Sequence, residues 1–389
     1  MKKLLMVLYC SLVLAIPFSS LATEKIVVKS KPDLSLKLEL ENAIGKGLTW
    51  LAAKQQPGGN WAQAEYPALT GLVLISFQGD PSKFYKNKYE QNIRNGYEFL
   101  AKSAKPDGGI YGKDLANYNT SISMMALLMA NNPAYEPLLK KGRKFIIGLQ
   151  DDFGEKGMGD DPLDGGIGYG GTYKHSDLAN TTFALEALYY TRYLKSDVAN
   201  DPEAKDLNWK AAIQFISRTQ NLKASNDQKW ASDDPANKGG FVYFPADSKA
   251  GEQKLEGGKT ALRSYGSMSY AGLLSFIYAQ VDKGDPRVKA VIDWLSRNYT
   301  LDENPGMGLD GLYYYYHTMA KALSAAGVDT LVMKDGTKVN WRQDLAKKLL
   351  DLQNSDGSWV NKNGRWWERD PHLVTSYATI TLEILHRGL

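Results

Sequence analysis

The chain has 389 residues, of which 43% are hydrophobic and 23% charged, with a formal net charge of +4. That is the composition of a folded chain with a large core, and it excludes a disordered or fibrous protein. The small charge and the lack of a dense Lys/Arg block with interleaved aromatics argue against a polyelectrolyte partner, so no nucleic-acid binding is expected.

Residues 1–22 have the form of a secretory signal: Lys2 and Lys3, an apolar run from Leu4 to Pro17, then Ser20-Leu21-Ala22 as a small-x-small cleavage site. The expected location is therefore periplasmic or extracellular. The run is too short to span a bilayer, and no later window is apolar enough, so no membrane span is expected. Cys10 is the only cysteine and lies in this run. A mature chain without it has no disulfide, no thiolate metal site and no cysteine nucleophile. Residues 23–38 are polar, with Pro32, and are expected to be a linker. Residues 39–389 are expected to form one domain.

That domain reads as six two-helix units. Unit one begins at Ala43; Ile44, Leu48 and Leu51 share a helical face, Pro57-Gly58-Gly59 breaks the helix, and Leu69 to Phe77 start the next. Unit two begins near Ile93 and turns at Asp107-Gly108-Gly109, with Asn119 or Thr120 as the expected N-cap of its second helix. Unit three begins near Leu138 and turns at Gly165-Gly166; its second helix holds Phe183 to Leu188. Units four, five and six begin at Trp209, Val288 and Trp341, and turn at Gly239-Gly240, Gly306-Met307-Gly308 and Asp356-Gly357. Each first helix is amphipathic and each second helix richer in Ala, Gly, Leu and aromatics. The first should be outer and the second inner. No convincing strand run is present. Such units cannot bury their apolar faces alone. Unit six is as aromatic as the others and lacks a polar capping face, so the expected architecture is a closed all-α (α/α)6 toroid of outer and inner helix rings.

The turns Gln56…Gly59-x-Trp61 and Gln353…Gly357-x-Trp359 resemble the prenyltransferase/squalene-oxidase repeat. The chain thus resembles the α/α-toroid superfamily of terpenoid cyclases, squalene-hopene cyclase among them, and protein prenyltransferase β subunits. Tyr316-His317-Thr318 with Ala320 to Ala326, and Gly266 to Leu273, resemble two prenyltransferase inner helices. The resemblance implies the toroid fold and an apolar, isoprenoid-like ligand. Two departures bear on activity. The Asp-x-Asp-Asp acid of the cyclases is absent. The Asp/Cys/His zinc set of the transferases is reduced to His317, with Tyr265 and Ser267 at the other positions. No metal and no cofactor are expected. Ala250-Gly251-Glu252-Gln253 resembles the thioester motif of complement-type toroids but lacks its cysteine.

Asp160-Asp161-Pro162-Leu163-Asp164 matches the Asp-Asp-x-x-Asp that holds Mg²⁺-diphosphate on a helix. Pro162 and the following glycines make it a loop, and a solvated acidic loop is the plainer expectation. Ser176 or Asp177 is the expected cap of the unit-three inner helix. The functional reading of the same stretch makes His175 and Asp177, with His317, the candidate acid–base groups. Candidate ligand-binding residues are Tyr265, Tyr270, Tyr314, Tyr316, Trp366, Trp367, Asp370 and His372, as the wall and mouth of one aromatic cavity. A closed ring is expected to gather His175, Asp177, His317 and His372 at that mouth. Arg263 and Arg365 meet either an anion there or the loop carboxylates. Three functions follow: an exported protein holding an apolar, isoprenoid-like ligand, with cyclase-like or transferase-like chemistry unproven; a carbohydrate lyase or hydrolase; or a non-catalytic binding or scaffold protein.

Overall fold

The computed structural model describes residues 33–171, 175–196 and 204–389. The signal-like segment and Cys10 lie outside the described residues. Thirteen α-helices lie within them. The first six are α1 (Leu34–Ala53), α2 (Pro67–Gly79), the short α3 (Phe84–Lys88), α4 (Glu90–Lys102), α5 (Ala116–Met129) and α6 (Glu136–Ile147). Then come α7 (Leu178–Tyr190), α8 (Trp209–Arg218), α9 (Gly266–Tyr278), α10 (Pro286–Arg297), α11 (Leu312–Ala326), α12 (Trp341–Asp351) and α13 (Pro371–Gly388).

Burial separates two kinds of helix. In α9 every residue from Gly266 to Phe276 is buried, whereas α10 buries only one stripe, Val288, Val291 and Trp294-Leu295-Ser296. The heavily buried helices α2, α5, α7, α9, α11 and α13 each pack on the next, and α13 packs on α2. The amphipathic helices lie against them, among them α4 on α2, α6 on α5, α10 on α9, and α1 and α12 on α13. The first helix starts at Leu34, ahead of residue 39 where the domain is expected to begin. The cause is that Leu36, Leu40 and Ile44 continue one buried stripe back through the helix.

The turns between paired helices share one construction. Gly59, Gly108, Gly165, Gly239 and Gly357 all have φ between +85° and +96°, a region that favours glycine. A Cβ at each would lie 2.1–2.7 Å from a carbonyl oxygen of the following outer helix: Asn95, Lys141, Ala211, Ala290 and, for Gly357, Lys46 back in α1. Two residues on, the backbone N–H of Trp61, Ile110, Ile167, Phe241 and Trp359 donates to a buried hydroxyl of the inner helix, on Thr70, Thr120, Thr181, Ser269 and Thr375. A glutamine amide then ties the turn to the next outer helix. Gln55 reaches Gly59 and Asn92 carbonyls; Gln353 reaches Gly357 and Ala43. Gln150 and Gln220 do the same.

Three expectations change here. The glutamine of the first repeat is Gln55, not Gln56, because it is the Gln55 amide that reaches both the Gly59 and the Asn92 carbonyls. Asn119 and Thr120 do not cap α5. That helix begins at Ala116 after a left-handed Leu115, and both side chains serve neighbouring backbone, Asn119 accepting from Ala68 N–H and Thr120 from Ile110 N–H. Two short antiparallel pairs also exist, Glu252–Lys254 with Thr260–Leu262 and Leu331–Val332 with Lys338–Val339. Strands of two or three residues are too short to show an alternating pattern. The fifth turn departs from the rule: there Asn304 accepts from the Ser267 N–H of α9, and no hydroxyl lock forms.

Candidate functional site

The first turns of the inner helices and the loops before them surround a chamber of about 470 Å³. Its floor is a layer of aromatic rings, one from each of four helices. Tyr118 of α5 meets Phe183 of α7 edge-on at 5.1 Å between centroids, and Phe183 lies 6.1 Å from Tyr314 of α11. Tyr314 lies 6.1 Å from Tyr377 of α13, and the Tyr118 and Tyr377 hydroxyls are 3.3 Å apart. Above the floor stand Tyr66, Tyr169, Tyr243, Tyr265, Trp366 and Trp367, with Asp114, Asn180, Lys249, Ser267 and Glu368 as the polar groups. Burial raises the Tyr118 hydroxyl to about 12, so the ring stays neutral.

The two tryptophans form the rim. Both have left-handed backbone, φ +54° and +66°, uncommon for a bulky residue. Trp367 packs edge-on against Tyr66 at 4.5 Å, and the Arg365 guanidinium stacks on Trp366 at 4.6 Å. Glu368 holds this loop in place. Its buried carboxylate accepts from the N–H groups of Tyr313 and Tyr314 at the start of α11 and from the Asn361 amide. A carboxylate at a helix N-terminus is electrostatically favoured, while burial moves its pKa upward. Sequence reasoning missed Glu368, because the helix start it serves, at Tyr313 and Tyr314, stands more than fifty residues away.

The candidate residues divide into those that reach the chamber and those that do not. Tyr265, Tyr314, Trp366 and Trp367 line it. Tyr270 instead packs on Tyr315 at 5.6 Å, and Tyr316 donates to the Leu301 carbonyl; both lie in the buried layer outside the chamber. Tyr314 and Tyr316 are about 200° apart around the helix and cannot share a face. His317 is a turn deeper than Tyr314. Its ring stacks on Tyr377 at 5.0 Å and faces a second cavity on the other side of the floor. Asp370 caps α13, accepting from His372 N–H, and the His372 ring lies beside Trp50 at 5.3 Å. The expected gathering of His175, Asp177, His317 and His372 at one mouth does not occur: none of the four lines the chamber, and His317 faces the second cavity. His175 stacks on Phe244 at 4.9 Å.

Of the two caps the sequence offers for α7, Ser176 and Asp177, the helix uses Asp177. Its two oxygens accept from the Asn180 N–H and amide, each at 2.8 Å. Complete burial overrides these bonds and raises its pKa to about 6, with Tyr243 hydrogen-bonded beside it. A carboxyl with a raised native pKa takes up a proton more readily folded than unfolded. Its contribution to stability therefore falls as pH rises from about 4 to about 6 and is level above that. A shift of about two units corresponds to about 3 kcal/mol. Asp177→Asn keeps a capping side chain and removes the charge. Its stability relative to the parent should improve by about that amount between pH 4 and pH 7, read from denaturant midpoints; a difference independent of pH would contradict the buried-carboxyl assignment.

The remaining candidates are structural. Asp164 accepts from Phe153 and Asp161 N–H groups, Asp160 from Glu155 and Asp161 from Leu163, so the acidic loop spends its carboxylates on its own backbone. Arg365 pairs with Asp310 at 2.7 Å and Arg263 donates to the Glu252 carbonyl. A zinc ion in the manner of the transferases does not fit, because Tyr265 and Ser267 face one cavity and His317 the other. Among the described residues no cluster of three His, Cys, Asp or Glu side chains can hold a metal ion.

The type II terpene cyclase MstE from Scytonema, in complex with its substrate geranylgeranyl dihydroxybenzoate, superposes with a TM-score of 0.53 at 11% identity, over 92% of this chain and 100% of that one. The GH76 α-mannanase of Bacteroides thetaiotaomicron gives 0.53 at 12%, over 91% and 98%. A possible GH105 member from Salmonella enterica gives 0.52 at 11%, over 95% and 100%. The chain has an α/α-toroid fold. At these identities the likeness concerns the fold alone, and terpene cyclases and glycoside hydrolases share it. No protein-family model and no curated protein matches this toroid by sequence. No helix among its described residues is long and apolar enough to cross a membrane.

Proposed function

We propose that the toroid consists of six two-helix units in two concentric rings and holds an apolar, isoprenoid-like ligand in the chamber at the N-terminal ends of the inner helices. The observation that carries this is the aromatic floor. Tyr118, Phe183, Tyr314 and Tyr377 close the ring at its waist, leaving a blind chamber with mostly aromatic walls and few polar groups. Chambers of this size and lining suit small apolar ligands. The ring faces also suit a developing positive charge. Asp177 stands behind Tyr243, outside the chamber lining, with a pKa that burial raises to about 6. Residues 1–22 are proposed to direct export.

One observation favours a second reading. The Trp366–Trp367 rim is about two-fifths exposed, and a flat aromatic edge of that kind also suits sugar rings, with an α-mannanase among the structures that share the fold. Titration with geranylgeraniol and with an α-mannan oligosaccharide, followed by tryptophan fluorescence, separates the two. Saturable binding of the isoprenoid alcohol without saccharide binding is the expected result. Saccharide binding with no response to the alcohol would replace the first reading by the second.

A further inference from the structure

Beyond the aromatic floor lies a second cavity of about 620 Å³, at the C-terminal ends of the inner helices. We propose that it is a separate site for an anionic amphiphile, a carboxylate on a long apolar chain. This stands apart from the ligand of the first chamber and does not depend on it.

The cavity has two unlike sides. One is apolar, with Leu72 and Ile75 of α2, Ile122 and Met125 of α5, and Ile380 of α13. The other carries Arg342, Arg387, Lys321, Glu186, Glu383 and His317. Lys321 and Glu186 cancel as an ion pair. The C-termini of six helices carry partial negative charge, and cations there offset it. That accounts for charge at the rim but not for Arg342. The Arg342 residue is 91% buried, and its Nε and Nη1 have no hydrogen-bond partner. Its Nη2 alone meets Asp329, at 3.4 Å on the outer side. Glu383 and His317 are also more than nine-tenths buried, and Glu383 Oε1 and His317 Nδ1 are likewise unpartnered. Buried polar atoms without partners cost free energy, and Arg342 Nε and Nη1 lack an acceptor. Burial moves the Glu383 pKa well upward, which favours its neutral form over a second buried anion. A carboxylate head supplies the acceptor for Arg342, and its chain covers the apolar wall.

Calorimetry with decanoate and with decan-1-ol, each below its aggregation limit, tests this on the whole chain. Decanoate should bind at least tenfold more tightly than decanol. Arg342→Gln should remove that preference and leave decanol within about threefold. Because Arg342 also stacks on Trp341 at 4.3 Å, a second variant guards against misfolding. Ala325→Trp places a large ring at the cavity's exposed helical rim, where the fold tolerates it, and should abolish decanoate binding while leaving geranylgeraniol binding in the first chamber intact. Failure of decanoate to bind, equal binding of acid and alcohol, or binding indifferent to both variants overturns the proposal. So does decanoate binding that is lost on Tyr314→Ala and retained on Ala325→Trp, since the acid then occupies the first chamber.

Discussion

Trp359→Ala is expected to remove about 3–5 kcal/mol of stability, the range for deleting a fully buried aromatic. Trp359 has no exposed surface. It is also bonded at both ends: its backbone N–H to Thr375 in α13, and its indole N–H to the Leu349 carbonyl in α12 at 2.8 Å. The loss therefore leaves a void and a buried carbonyl without its donor. The position matters because the same turn joins the last unit to the first. Gly357 seats against Lys46 of α1, Gln353 reaches the Ala43 carbonyl, and Trp50 donates to Asp356 at 3.1 Å. Unfolding followed by circular dichroism measures the effect, and hydrogen exchange in α1 and α13 reports whether the seam loosens first. Trp366→Ala, at the half-exposed rim, serves as the control and should change stability by about 1 kcal/mol or less. Equal effects of the two substitutions would remove the distinction between seam and rim.

Tyr314→Ala is expected to weaken geranylgeraniol binding by about 10- to 100-fold, which is about 1.4–2.7 kcal/mol for the lost aromatic wall. Tyr314 belongs to the floor, between Phe183 and Tyr377. Removing its ring opens the chamber toward the second cavity and deletes a face that the ligand covers. Tyr377→Phe is the informative companion. It keeps the ring and removes only the hydroxyl contact with Tyr118, so affinity should stay within about threefold. Fluorescence titration on variants with parental circular dichroism decides the matter. Unchanged affinity in Tyr314→Ala would move the ligand away from the floor and sink the chamber assignment.

Helix type, pairing and turn positions were legible because they are local. Glycine before an aromatic, amphipathic stripes and apolar runs depend on neighbours within a few residues. The cap at Asp177 was legible for the same reason. Local reading also placed four chamber residues, Tyr265, Tyr314, Trp366 and Trp367. It failed for Tyr270 and Tyr316, where one or two positions along a helix turn the side chain from the channel to the wall. It failed again for His317, which the same helix face carries one turn below the floor.

What the amino-acid order determined by itself is thus the repeating unit: an amphipathic helix, a positive-φ glycine turn, and a helix buried on almost every side. Only the tertiary structure decided what the units enclose. The hydroxyl locks are buried Ser and Thr, residues that carry no distinctive local signal until a turn N–H from the same unit reaches them. Glu368 gains its role from backbone N–H groups on another helix. The aromatic floor needs one ring from each of four helices, contributed by residues up to 259 positions apart, Tyr118 and Tyr377. The two cavities lie on either side of that layer, and no single unit contains it.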